Sequence, residues 1–292
     1  MNFNGFPLIL TGCVMKRLNK ILPILCVPVL LATAACSSTG NKEDTKTEVD
    51  TPVETLYTNA AAAMDAKNYR EATRLFQEVE RQHPYSEWAV RAELMAAYAQ
   101  YESMRYDEAI LSLDRFVELH PGHKDIDYAL YLKSLCFYEQ ISDVARDQYM
   151  TDEALKAFDT LIRRFPDSRY TRDAILKRDL TLDHLAGKEM EIGRYYLTRG
   201  EINAAINRFR VVVRDYQTTT HVPEALHRLV EAYITLGLTD EATRVAAVLG
   251  YNYPGSQWYE DTYELLDPAM RQKIMDERGF VDRTVDSLFK PN

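Results

Sequence analysis

A pattern of small and apolar residues that recurs five times is the strongest constraint on how this chain folds. In each copy an Ala is followed four residues later by an apolar side chain and twelve residues later by Pro, which Gln217 replaces in the fourth copy. The Ala positions are Ala72, Ala109, Ala154, Ala205 and Ala242. Gly and Pro number only 11 each among 292 residues, a low share that favours helices. The pattern therefore predicts a chain built from repeated pairs of helices.

The spacing within each copy is typical of a tetratricopeptide repeat, in which helix A, a turn and helix B form a unit of about 34 residues. The small Ala of helix B lets helix A approach closely, and the larger side chain one turn later lies on the same face. The Pro ends helix B and directs the chain into the next repeat. We predict an all-α fold, a tetratricopeptide-repeat solenoid of about five helix-turn-helix repeats, over residues 55–254.

Irregular distances between the Ala positions show where the chain departs from a uniform repeat. The polar stretch 142–148 is predicted to be an insertion between the two helices of the third repeat. Residues 170–186 are predicted to form an additional or lengthened helix before the fourth repeat. Residues 255–292 are expected to form a helical C-terminal extension and tail.

The first 35 residues have the composition of a secretory signal peptide. Three basic residues, Lys16, Arg17 and Lys20, precede a short apolar stretch, and no acidic residue occurs in the segment. Met15 stands directly before the basic pair and is expected to be the natural start, so residues 1–14 would precede the true protein. Cleavage is predicted immediately before Cys36.

The sequence from Thr33 to Cys36 is similar to the lipobox of bacterial lipoproteins. The resemblance implies that Cys36 carries the lipid and, because Ser37 rather than Asp follows it, that the protein is anchored at the periplasmic face of the outer membrane. Simple cleavage after Ala35 is the alternative. Residues 36–54 would then be the lipidated Cys and a flexible polar tether.

No arrangement of catalytic or metal-ligating residues is recognisable, so we predict a protein that is not an enzyme and uses no metal or cofactor. P-loop, G-x-S-x-G and H-E-x-x-H motifs are absent, and His120 and His123 lack a Cys or carboxylate set that would complete a metal site. Cys136 has apolar neighbours that predict a buried core side chain. Without the three basic residues of the signal the net charge falls from −9 to −12, which argues against nucleic-acid binding.

Helical phase predicts a binding surface on helices A, which line the concave side of such solenoids. Eight residues of the second and third repeats are placed there: Arg91, Leu94, Tyr98, Tyr101, Tyr128, Tyr131, Leu135 and Tyr138. Tyr combines a large contact area with a hydroxyl, and Arg can pair with a carboxylate. We predict that an extended peptide ending in an aromatic residue and a carboxylate binds along this groove. Alternatively, several of the Tyr only pack against the neighbouring repeat.

Several local sequences resemble the repeat-built lipoprotein family of the β-barrel assembly machinery in the bacterial outer membrane. They include Tyr69-Arg-Glu-Ala72, Pro84-Tyr-Ser-Glu-Trp88, Asp114-Arg-Phe116, His120-Pro-Gly-His123 and Ala205-Ile-Asn-Arg208. The resemblance covers about residues 36–250 and implies a non-enzymatic scaffold. Such a scaffold would bind the periplasmic domains of the barrel insertase and the other lipoproteins of the machinery. It would also receive the C-terminal strands of unfolded outer-membrane proteins.

A basic cluster on helix B of the fourth repeat is a candidate partner-binding surface. Helical phase directs four of its polar residues outward: Asn207, Arg208, Arg210 and Arg214. The resemblance implies that the C-terminal repeats face the insertase, so we predict that an acidic patch of the insertase docks here. A solvated face with local ion pairs is the alternative.

A periplasmic repeat lipoprotein that coordinates cell division or peptidoglycan synthesis is the alternative function. Proteins of that class usually carry a trimerising coiled coil before the repeats, whereas residues 37–56 contain no heptad run. A lipoprotein enzyme is a third class, for which the sequence assembles no site.

Overall fold

The structure is a computed structural model that describes residues 51–276. The predicted signal peptide, Cys36, most of the predicted tether and the end of the predicted tail lie outside the described residues. Within that range the chain forms twelve helices and no strand, which confirms the all-α prediction. The helices are α1 (Val53–Asp65), α2 (Tyr69–Gln82), α3 (Glu87–Glu102), α4 (Tyr106–Leu119), α5 (Ile126–Tyr138), α6 (Tyr149–Arg164), α7 (Thr171–Thr198), α8 (Ile202–Asp215), α9 (Val222–Thr235), α10 (Thr239–Asn252), α11 (Gln257–Leu265) and α12 (Pro268–Asp276).

The first ten helices pair successively as helix A and helix B of five repeats, from α1 with α2 to α9 with α10. All five repeat Ala are fully buried in their helices B. The side chains one turn later in the first four repeats are fully buried as well: Phe76, Leu113, Phe158 and Phe209. The small residue and the large residue therefore fill the contact between the two helices, and the predicted tetratricopeptide solenoid is confirmed.

Hydroxyl side chains hold the turns between repeats. Ser86 caps α3 by accepting a hydrogen bond from the backbone N–H of Ala89 at 3.1 Å, and Ser256 caps α11 in the same manner. In the fourth repeat, where Gln217 replaces Pro, the hydroxyl of Thr219 donates to the backbone carbonyl of Tyr216, the residue after α8, at 2.8 Å. Ser86 makes the equivalent bond to the carbonyl of His83 at 2.9 Å, so this hydroxyl contact is kept where the Pro is missing.

Helix α7 is 28 residues long and contacts the helices B of two repeats, α6 and α8. Its first half packs on α6 and its second half pairs with α8. The stretch 170–186 is therefore the start of one lengthened helix rather than an additional helix. The predicted insertion lies against α7, because Nε2 of His184 is 2.8 Å from the carbonyl oxygen of Ser142 and Nζ of Lys188 donates to the carbonyl of Ala145.

Gly193 allows a very close approach between α7 and α8. A Cβ atom at this position would lie 2.4 Å from Cε1 of Phe209. A side chain would collide with the buried ring, so the glycine lets the two helices interlock. From the second half of α7 to α12, the buried apolar side chains form a single cluster, whereas the preceding repeats contain three separate clusters.

The repeats begin slightly before the predicted boundary. Helix α1 starts at Val53, and Nε2 of His83 lies 2.9 Å from the carbonyl oxygen of Thr51, so the last residues assigned to the tether already belong to the first repeat. After α10, helix α11 packs on α9 and α10, and α12 packs on α10. None of the helices in residues 51–276 combines the length and the apolar character of a membrane span.

Candidate peptide-binding groove and docking surface

Helices α1, α3, α5 and α7 form a row of helices A in which each contacts the next. The Tyr of α3 and α5 meet in this row. The rings of Tyr98 and Tyr101 stack at 6.5 Å between centroids, and the rings of Tyr128 and Tyr131 lie 5.3 and 5.0 Å from that of Tyr170, just before α7. This aromatic surface is named the tyrosine groove and comprises Tyr98, Tyr101, Tyr128, Tyr131, Tyr138 and Tyr170.

Every ring of the tyrosine groove is partly buried and partly open to solvent. Tyr98 and Tyr101 pack against the core of the second repeat, while Tyr131 and Tyr138 pack against that of the third. The ring of Tyr138, for example, meets Phe158 edge-on at 6.0 Å. Packing against these cores therefore fixes the rings in place and leaves part of each one for a ligand.

An acid–base pair on α7 borders the groove. The hydroxyl of Tyr131 donates to Oδ2 of Asp173 at 2.5 Å, and Nζ of Lys177 donates to the same oxygen at 2.8 Å. Burial acts to raise the pKa of Asp173, but the hydrogen bonds from Lys177 and Tyr131 outweigh it and lower the pKa. The carboxylate is therefore charged at neutral pH and holds Tyr131 in one orientation.

Partial burial also changes the acidity of the Tyr hydroxyls. Burial raises the pKa of Tyr101 to about 12, and it is the largest cause of the raised pKa of Tyr128 and Tyr131. The pKa of Tyr98 is raised by burial and then by the carboxylate of Glu102, which accepts a hydrogen bond from its hydroxyl. All these hydroxyls are protonated at neutral pH. Those of Tyr98 and Tyr131 already donate their one proton to Glu102 and Asp173 and can only accept a further hydrogen bond, whereas those of Tyr101 and Tyr128 can donate to a ligand.

The non-aromatic residues predicted for the groove have different environments. Arg91 is exposed, with its guanidinium carbon 5.7 Å from the ring centroid of Trp88, and it lines a cleft of about 610 Å³. Leu135 is partly buried. Leu94 departs from the prediction, because it is only 8% exposed and packs in the core of the second repeat, where α5 covers that side of α3. Leu94 therefore packs beneath the tyrosine groove and does not line it.

Tyr170 was not predicted as a groove residue, although the sequence contains a signal for it. In three repeats an aromatic residue follows the Pro of the preceding repeat by four positions, at Trp88, Tyr170 and Trp258. Each of these rings contacts a ring of the preceding helix A, as Tyr170 contacts Tyr131. The aromatic residue after the Pro thus joins successive helices A.

The basic cluster on α8 contains both paired and unpaired charges. Nη1 of Arg208 donates to the carboxylate of Glu189 on α7 at 3.0 and 3.3 Å, and the Arg208 side chain is 41% exposed. Arg214 pairs with the adjacent Asp215. Asn207 and Arg210 are exposed and form no hydrogen bond or ion pair with the described part of the chain. Arg210 is therefore the available charge on this face, whereas Arg208 is held within its own repeat.

The remaining candidate side chains have structural roles. Cys136 is fully buried, as predicted, and burial raises the pKa of its thiol to about 12. Nε2 of His120 contacts the buried carboxylate of Glu93 at 3.2 Å, and Nδ1 of His123 accepts from the N–H of Asp125. Among the residues whose side chains are described, no group of three or more His, Cys, Asp or Glu is placed to hold a metal ion.

Comparison with known proteins gives consistent matches over the whole repeat region. A family model described as outer membrane lipoprotein, YfiO, matches residues 49–249. The outer membrane protein assembly factor BamD of Caulobacter vibrioides is 49% identical to this chain over 263 residues, which are 89% of this chain and 86% of that protein.

Two further relatives have the same name. BamD of Rickettsia prowazekii is 45% identical over 250 residues, covering 86% of this chain and 98% of its own. BamD of Neisseria meningitidis serogroup A is 35% identical over 258 residues, covering 85% of this chain and 96% of its own. With its helical repeats and these matches along most of its length, the chain belongs to the YfiO family of outer membrane lipoproteins.

Proposed function

We propose that this protein is an assembly factor for outer-membrane proteins, which holds unfolded substrates by their C-terminal strands and docks on the barrel insertase. The tyrosine groove is the observation that carries the proposal, because its rings cross successive helices A and keep part of each face open. The names of the relatives, which match over most of both chains, support the role in outer-membrane protein assembly.

A strand of an outer-membrane barrel suits this groove chemically. Such strands alternate apolar and polar residues, and an unpaired strand exposes backbone groups that seek partners. The Tyr rings would cover the apolar side chains, while the hydroxyls of Tyr101 and Tyr128 donate to backbone carbonyls and those of Tyr98 and Tyr131 accept from backbone N–H groups. The exposed guanidinium of Arg91 would pair with the C-terminal carboxylate. The protein would thereby act as a scaffold that keeps the strand from pairing prematurely, without a covalent step.

Site-specific crosslinking tests the placement of the substrate. A photo-crosslinking residue at position 98 or 131 is expected to capture an unfolded outer-membrane protein, and to lose it when the last residues of the substrate are deleted. Position 85 is the control, since Tyr85 is fully exposed in the turn before α3 and lies outside the tyrosine groove. Substrate crosslinks from position 85 with none from 98 or 131 would contradict this placement.

We propose a lipid on Cys36 as the membrane attachment, with the polar residues after it as a tether. The substitution Cys36→Ala is expected to move the protein from the membrane to the soluble fraction or to leave it unprocessed. Cys26→Ala, within the predicted signal, is the matched control and should change neither acylation nor fractionation. A Cys36→Ala protein that stays on membranes at high salt and without its partners would show that the anchor lies elsewhere.

The docking surface for an acidic patch of the insertase is proposed on α8, with Arg210 at its centre and Arg208 and Asn207 beside it. Arg208→Glu and Arg210→Glu are each expected to weaken insertase binding at least tenfold. The melting temperature should stay unchanged in Arg210→Glu and fall in Arg208→Glu, which places a second carboxylate beside Glu189. Arg163→Glu makes the same charge change on the exposed surface of α6 and should not affect binding. If all three variants bind equally, the Arg of α8 form a solvated face. Copurification of division proteins in place of the insertase would favour the alternative function.

A further inference from the structure

The row of helices A continues beyond the tyrosine groove onto two exposed leucines. Leu176 and Leu180, on the first half of α7, are 60% and 59% exposed. They are one turn apart on the helix, so their side chains lie about 6 Å from each other on the same face. Two neighbouring apolar side chains with more than half their surface in water form an open apolar patch without a cover in residues 51–276.

The repeat register places these leucines in the position of the groove residues. Ala92, Ala129 and Ala174 are equivalent, fully buried residues near the starts of α3, α5 and α7. The side chains two and six positions after them are Leu94 and Tyr98 on α3, Tyr131 and Leu135 on α5, and Leu176 and Leu180 on α7. The row of helices A continues from α5 to α7, because the hydroxyl of Tyr131 donates a hydrogen bond to Asp173 at the start of α7. The leucines are therefore the third segment of one surface.

The two ends of this surface differ in charge. At the α3 end, a cleft of about 610 Å³ is lined by Arg91, Lys124 and two His, with Glu87 as its one carboxylate. At the α7 end, Leu180 borders a cleft of about 410 Å³ that contains three carboxylates, those of Asp143, Asp183 and Glu191.

The basic groups of the acidic cleft are already engaged. Arg194 donates to Glu224 at 3.0 Å, and Nε2 of His184 is 2.8 Å from the carbonyl oxygen of Ser142. Nε2 of His221 lies 3.6 Å from Oδ2 of Asp183. One carboxylate oxygen of Glu191 is buried with no hydrogen-bond partner in the described part of the chain. The cleft therefore favours a positively charged group and the opposite end favours a carboxylate.

We propose that Leu176 and Leu180 form a further binding site for an extended amphipathic strand, whose C-terminal carboxylate lies at α3 and whose preceding residues cross α5 to α7. The inference rests on the proposed function and adds the reach and direction of the bound segment. Leu176 and Leu180 are spaced along α7, across the path of the strand, so one apolar side chain of the strand can pack between them. A basic side chain of the strand would enter the cleft beside Leu180.

The length of the bound segment follows from the spacing of the helices. Neighbouring helices pack about 8–10 Å apart, so the path from α3 to α7 is roughly 18 Å. An extended chain advances about 3.3 Å per residue and needs about six residues to cover this distance. A peptide of four residues can therefore occupy the tyrosine groove at α3 and α5 only, whereas a peptide of twelve residues also reaches the leucines.

Fluorescence anisotropy of two labelled peptides tests the inference. The peptides are the last four and the last twelve residues of an outer-membrane barrel protein, and the longer peptide includes a basic residue. The double variant Leu176→Gln, Leu180→Gln is expected to lose about tenfold in affinity for the longer peptide and none for the shorter one. The control is Leu111→Gln, because Leu111 is 71% exposed on α4, outside the row of helices A. It should change neither affinity.

The outcomes separate the two proposals. If the unmodified protein binds neither peptide, the proposed function and this inference both fail. If it binds both but the double variant binds the longer peptide normally, only the inference fails. Loss of self-association in sedimentation, with unchanged peptide binding, would identify the leucines as a contact between two copies and overturn it. A crosslinker at position 180, compared with position 111, provides the same test should the double variant misfold.

Discussion

The first three repeats and the last two are built from the same pattern but place their large side chains differently. In the first three, the cores are separate clusters, and half-buried Tyr rings from α3 and α5 cover the gaps between successive helices A. In the last two, aliphatic side chains join α7 to α12 in one cluster, which Gly193 tightens by admitting the ring of Phe209. One region thus offers aromatic surface to a ligand, and the other forms a continuous support.

The difference shows how one repeat fold can use some repeats for ligand binding and others for stability. A Tyr that is half buried is held in place by packing yet retains area and a hydroxyl for a partner. A fully buried Leu or Val contributes to the free energy of unfolding but offers nothing at the surface. The C-terminal repeats also carry partly buried rings, among them Tyr196, Tyr233 and Tyr259, which pack on the joined cluster. The partner contact proposed there uses charges such as Arg210, whereas the contact proposed for the N-terminal repeats uses ring faces.

The largest expected effect distinguishes the single C-terminal cluster from the separate clusters of the first three repeats. Phe209→Ala and Phe116→Ala should each lower the free energy of unfolding by about 3–5 kcal/mol, because both rings are fully buried. The two variants should differ in which helices lose protection against hydrogen exchange. Phe209→Ala should reduce protection from α7 to α12, and Phe116→Ala mainly in α3, α4 and α5. The same spread in both variants would contradict the division into clusters.

A smaller effect is expected from the tightest helix contact. Gly193→Ala should lower the free energy of unfolding by about 1–3 kcal/mol, because the new Cβ would lie 2.4 Å from the Phe209 ring. Gly122→Ala is the matched control, since a Cβ there meets nothing within 4 Å, and its effect should be close to zero. Denaturant melts of the two variants make the comparison. An unchanged melt for Gly193→Ala would mean that α7 and α8 separate at little cost.

Removing one hydroxyl of the tyrosine groove should have a still smaller effect on stability. Tyr131→Phe loses the hydrogen bond to Asp173 and should lower the free energy of unfolding by about 1 kcal/mol. Tyr149→Phe is the control, because Tyr149 is 59% exposed on α6. Equal melting temperatures for the two variants would show that the groove hydroxyls are held by packing alone.

The last expected effect is confined to alkaline pH. Burial raises the pKa of Tyr101 from the usual 10 to about 12, so the folded protein keeps this proton where the unfolded chain loses it. The contribution to stability is fully present below pH 10 and is lost as the pH rises toward 12. Urea melts should therefore show a decline over this window that is weaker in Tyr101→Phe, while Tyr149→Phe should behave like the unmodified protein.

Local spacing along the helices was enough to predict the repeats. An Ala and a large side chain one turn later share a helix face whatever surrounds them, so the five helices B, the buried Ala and the burial of Cys136 followed from the order of residues. The same phase argument placed the Tyr of α3 and α5 on the concave side. Tyr98, Tyr101 and Tyr128 pack on one core cluster, and their role in binding stays a prediction.

Contacts between repeats required the tertiary structure, because exposure depends on which helix lies alongside. Leu94 and Leu176 occupy equivalent repeat positions, yet Leu94 is 8% exposed beneath α5 and Leu176 is 60% exposed at the end of the row. The contact of Tyr170 with Tyr131 also joins two repeats, and the bond from Arg208 to Glu189 joins the two helices of one repeat. A helix's own sequence sets which side chains share a face, but the neighbouring helix decides whether that face becomes core, groove or open surface.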